Sequence, residues 1–117
     1  MANQFDKNDI VSYETAVKWA KTWQGYVAPL NKPAPADAPY FPKGYLLERE
    51  KIELLLQYAD NVRIYFGMDD NKVNHLMMVG VDKDGNDILP TDNPEAKILN
   101  NFDTCPTRCG KQNGIND

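Results

Sequence analysis

The chain is poor in the residues that carry covalent chemistry: one serine, one histidine and two cysteines among 117 residues. A Ser-His-Asp mechanism would have to recruit Ser12 and His75. Ser12 lacks the glycine-flanked elbow that exposes such a nucleophile, and it already suits a helix N-cap. Glycine-rich phosphate cradles of the GxGxxG or GxxxxGK[ST] type are absent, which removes nucleotide binding of those kinds. Two cysteines cannot build a multi-disulfide scaffold, so a hydrophobic core must hold the fold. No apolar run approaches the about 20 residues that span a bilayer. The opening MANQFDKNDI has neither the basic nor the apolar region of a signal peptide, so a cytoplasmic protein is expected. Lysine and arginine form no cluster, and the net charge is −4. Neutralising phosphates needs such a cluster, so nucleic acid is not an expected partner.

What remains is ordinary globular material, 42% hydrophobic. At this length one domain is expected, burying about two-thirds of its unfolded surface. The ordered core should run from about residue 10 to 109. The polar segment 1–10 should be loosely held, and 110–117, KQNGIND after Gly110, disordered.

The centre of the chain carries the clearest pattern. Val62, Ile64 and Phe66 alternate with Arg63 and Tyr65, the period of a strand. His75 to Val81 is apolar on nearly every position, which suits a strand covered on both faces. Lys83-Asp84-Gly85-Asn86 then places glycine where a hairpin turn needs positive φ. The run from Asp82 to Asp87 lacks the glutamate that closes a calcium loop, and a polar turn accounts for it. Asp69 and Asp70 belong to the opposite end of such a meander. They are therefore too far from Asp84 for paired-carboxylate catalysis, which needs about 10 Å or less.

Two helices are predicted before the meander. Ser12 caps the first, from Tyr13 to Val27, with Glu14 in its first turn. Its apolar half gathers Trp19, Trp23 and Tyr26 at helical spacing, and Pro29 should end it. The second spans about Tyr45 to Ala59 and turns Leu47, Ile52, Leu54, Leu55 and Leu56 inward. Between them, residues 28–44 hold five of the eight prolines, Pro29, Pro33, Pro35, Pro39 and Pro42. Fixed φ and missing amide donors make this an extended strap, anchored by Tyr40 and Phe41. Near the C-terminus, Ile98, Leu99 and Phe102 should pin an irregular segment to the core.

The expected fold is thus α+β. Two N-terminal helices pack on one face of a three-stranded antiparallel meander, and an irregular C-terminal tail partly covers the other. An incompletely covered sheet would favour self-association.

Two groups of residues are candidates for function. Most aromatic stripes are core, but Tyr and Trp also dominate binding surfaces, since a rigid ring gives contact area at little entropic loss. Trp19, Trp23, Tyr26, Tyr40 and Phe41 are therefore the candidate contacts for a protein or peptide partner, or for a second copy of the chain. Cys105 and Cys109, in CPTRC, can form a small-ring disulfide, act as a redox pair with Arg108 nearby, or supply two ligands to zinc. A structural zinc would need two more ligands, of which His75 is the one histidine available. The leading expectation is a non-catalytic binding or assembly module without a cofactor. A thiol-based zinc or redox protein is the alternative.

VRIYFG (Val62 to Gly67), VGVDKDGNDI (Val79 to Ile88) and CPTRC (Cys105 to Cys109), in this order, resemble a group of small uncharacterised bacterial proteins of the Bacteroidetes. The likeness spans about Ser12 to Cys109. It implies a stand-alone soluble domain and transfers no functional residue.

Overall fold

The computed structural model of the protein describes residues 8–117. The expectation for the first ten residues therefore falls, for its first seven, outside the described ones. Helix α1 (Tyr13–Asn31) is followed by β1 (Gly44–Leu46) and helix α2 (Arg49–Leu56). Then come β2 (Asn61–Met68), β3 (Asn74–Val81), β4 (Asp87–Ile88) and β5 (Asp103–Cys105). The fold is α+β, with two antiparallel sheets: β2-β3-β4, the predicted meander, and a small pair, β1-β5.

The meander follows from its own side chains. β2 and β3 pair over their full length, with Ile64 opposite Met78 and Phe66 opposite Leu76. Each hairpin is tied by the aspartate that opens it. One Asp69 oxygen accepts the amides of Asn71 and Val73 at 2.8 and 3.1 Å. One Asp82 oxygen accepts those of Asp84 and Asn86, both at 2.9 Å. Short carboxylates that bond their own backbone two and four residues on are the chemical reason aspartate starts such turns. Gly85 takes the positive φ, 87°, that the second turn demands.

The core lies on one face of β3. Leu55 of α2 is fully buried against Leu76, Met78 and Phe102, with Ile52, Tyr58 and Val62 packed around them. Burying side chains of this size contributes about 1.5–3 kcal/mol each. Gly80 lets α2 approach: a Cβ there would stand 2.7 Å from the Ala59 Cβ and 3.2 Å from the Tyr58 ring. Leu99 extends the sheet beside β3, exchanging two backbone bonds with Met78 at 2.8 and 2.9 Å. Val79 and Val81, on the opposite face, are buried as well.

Several boundaries and one packing expectation are corrected. Helix α1 runs through Pro29 to Asn31. Proline lacks only its own amide, and the Gly25 carbonyl left over lies on an exposed turn, so the helix tolerates it near its end. Helix α2 is shorter than Tyr45–Ala59, because Gly44, Tyr45 and Leu46 pair with Cys105, Thr104 and Asp103 instead. Above all, α2 alone packs on the meander; α1 buries one residue, Val27. Its flank is taken by the strap and by the last eight residues. Tyr13 donates to the Asn113 carbonyl at 2.7 Å, Gln24 to Ile115 at 2.9 Å and Lys21 to Asp117 at 3.0 Å. Residues 110–117, expected from composition to be disordered, are thus laid along α1 by main-chain acceptors that composition does not reveal.

Candidate functional site

With α1 drawn away from the sheet, an open space remains between them. It is a groove of about 710 Å³. Trp23 of α1 and Phe41 and Pro42 of the strap form one wall. Tyr45 and Leu47 line its base, and Ile64, Phe66 and Leu76 of the meander form the other wall. The strand alternation that turns Ile64 and Phe66 to one face is what supplies this second wall.

Its strap wall is fixed by specific bonds. The Asn31 side chain clamps the Phe41 backbone, accepting from its amide at 2.8 Å and donating to its carbonyl at 2.9 Å. The Trp23 indole N–H donates to the Pro42 carbonyl at 3.0 Å. The rings of Trp23 and Phe41 meet edge to face, 6.4 Å between centroids and 88° between planes, the arrangement that ring quadrupoles favour.

Few polar groups face the groove, and those present are partnered. The Tyr45 hydroxyl bonds Asn74, whose amide donates to the Gly67 carbonyl at 3.3 Å. Burial pushes the Tyr45 phenol above its ordinary value. Lys43, at the rim, donates to the Asn116 carbonyl at 2.9 Å. Among the described residues, no serine, cysteine, histidine or carboxylate lines the groove. Such walls suit apolar groups, with the Lys43 amine and the Tyr45 phenol as the ionisable groups on the lining.

The five aromatic candidates separate. Trp23 and Phe41 meet at the groove. Trp19 and Tyr26 stand on α1 exposed to solvent, at 63% and 71%, and Tyr40 is half-buried in the strap away from the groove lining. Ile64, Phe66, Leu76, Tyr45 and Pro42 were not among the candidates. Their signal was present in part, since β2 carries an apolar face that α1 was expected to cover.

Cys105 and Cys109 are joined as a disulfide with their Cα atoms 4.6 Å apart. Cys105 is buried at the end of β5 and Cys109 half-buried beside the tail, where Asn116 donates to its carbonyl at 2.8 Å. Arg108 pairs with Asp103 at 2.5 Å, so its charge has a carboxylate partner. His75 stands at the β2–β3 turn, its Nε2 2.8 Å from Asp69. Among the described residues no three His, Cys, Asp or Glu side chains gather as a metal site requires, and His75 does not join the cysteines. No described helix is long and apolar enough to cross a membrane.

A polar cluster that pattern reading missed lies on the other face of the meander. Arg63 and Asp87 pair at 2.5 Å, Arg63 donates to the Gly85 carbonyl at 3.2 Å, and the Tyr65 hydroxyl bonds Asp87. Hydrogen bonding with Tyr65, then with Asp87, raises the Arg63 guanidinium above its already high value. These three residues are separated by up to 24 positions, and only the strand register unites them.

No protein-family model, curated protein or solved structure matches this chain.

Proposed function

We propose that the protein is a non-catalytic binding module whose groove receives apolar side chains of a protein partner. The observation that carries this reading is the lining itself. Trp23, Phe41, Pro42, Tyr45, Ile64 and Phe66 form an apolar, aromatic-rich concavity with its polar atoms already partnered. Aromatic side chains are enriched where proteins meet, and an anchor seated in a water-excluding pocket dominates such contacts. The clamp of Asn31 on Phe41 holds one wall before any partner arrives, which limits the ordering cost of binding.

The test is affinity capture from the native cell by the whole chain, with Trp23→Ala and Phe41→Ala as groove variants and Trp19→Ala as the control on the same helix. Partners lost with both groove variants but kept by Trp19→Ala support the reading, provided melting curves show all three folded. Partners kept by every variant overturn it.

A further inference from the structure

We infer that a second copy of this chain docks on the open edge of β2, joining two meanders into one continuous six-stranded sheet. The register shows which backbone groups are available. Met78 exchanges both of its main-chain bonds with Leu99, so its N–H and C=O point away from β2. Ile64, its partner on β2, therefore points its own away from β3, because opposite residues in an antiparallel ladder share one state. By alternation the same holds for Val62, Phe66 and Met68. Among the described residues no backbone group bonds this outer row.

The edge also lacks the devices that keep sheet edges apart. β2, NVRIYFGM, has no proline and no lysine, and Arg63 is its one charged residue. Phe66 and Met68 are 71% and 53% exposed on it. A second copy fits because the strand is complementary to itself. Antiparallel pairing about a two-fold axis sets Ile64 against the second copy's Phe66 and Val62 against its Met68, so the apolar side chains of both copies share one face. Arg63 then lies opposite Gly67 and Tyr65 opposite Tyr65, so no like charges meet. The pairing closes on itself. Among the described residues the far side of the meander offers the two-residue β4 and the Leu99 bridge, so two copies use up the one long open edge that those residues leave on each. This interface forms through the backbone edge, while the Ile64 and Phe66 side chains on its apolar face also line the groove.

The experiment is sedimentation equilibrium of the full chain over a range of concentrations, with three variants. Phe66→Lys places a charge on the edge. Phe66→Pro removes an outward amide that the intrachain ladder does not use, where proline is tolerated. Trp23→Ala alters the groove alone. The wild type is expected to show twice its chain mass and protected amides at Val62, Ile64 and Phe66. Each Phe66 variant should dissociate about tenfold more readily or worse, with Leu76 and Met78 amide signals showing the meander intact, while Trp23→Ala remains a dimer. A wild-type monomer at millimolar concentration overturns the inference. So does a dimer that survives both Phe66 variants, a dimer lost in Trp23→Ala, or β2 amides that gain protection only when an unrelated extended peptide is added.

Discussion

Arg63 of β2 and Asp87 of β4 meet at 2.5 Å across the strand that separates them, β3. Arg63 is in register with Val79 and Asp87 with Val81. The ion pair therefore lies over these two valines, which are 2% and 4% exposed, on the face opposite α2. A polar pair thus stands above apolar strand residues on the face that the C-terminal tail was expected to cover in part.

If the pair shields the valines, its two members act as a unit. Arg63→Ala and Asp87→Ala should each accelerate amide exchange at Val79 and Val81. The double variant should lose less stability than the two single losses added together. Urea melts of the four proteins measure this. Strict additivity would show that the pair contributes nothing jointly, as is common for exposed ion pairs.

Gly80 should resist any side chain. A Cβ there meets Ala59 at 2.7 Å, and Ala59 is held at the end of α2 by its amide bond to Leu55 at 3.1 Å. Gly80→Ala must push α2 off the sheet and should cost about 1–3 kcal/mol. Gly44→Ala, where nothing lies within 4 Å of the added carbon, is the control and should cost less. Equal losses in chemical denaturation would show that α2 yields freely.

The Cys105–Cys109 bond closes a short loop, so its entropic contribution is limited, about 2 kcal/mol on the loop-closure model. Reduction should lower the urea midpoint by a corresponding amount and leave the chain folded, because the β1-β5 pair and the core residue Phe102 hold that region independently. Unfolding on reduction would show that the segment depends on the bond.

The meander could be read from residues alone because its signals are local: period-two alternation, an apolar β3, and turn chemistry at Asp82 and Gly85. The groove could not. It exists because Tyr45 and Leu46 leave the predicted helix to pair, with Gly44, against β5, and because main-chain acceptors at Asn113, Ile115 and Asp117 occupy the flank of α1. Both causes join residues far apart in the chain. Trp23 and Phe41 could be singled out as aromatic, but nothing in their spacing separates them from Trp19 and Tyr26, which the structure leaves in solvent. Hydrophobic periodicity says which side of a helix is apolar, and says nothing about whether a sheet or an open groove lies against it.

The turn that closes β2 and β3 should be sensitive to acid. Asp69 is held below the ordinary carboxylate value of 3.8 first by its hydrogen bond with His75 and then by the amide of Val73. A carboxylate depressed in the folded state stabilises the fold fully above its unfolded value, and that contribution fades as pH falls through the lower folded one. The turn is thus intact at neutral pH and loosens only below 3.8. Carboxyl carbon shifts followed by NMR should place the Asp69 midpoint under that value. His75→Ala, which removes the largest cause, should move it back upward, while Asp82, depressed by the Asn86 amide in the other turn, stays where it was. An Asp69 midpoint that ignores the loss of His75 would show that the turn amides alone hold the charge.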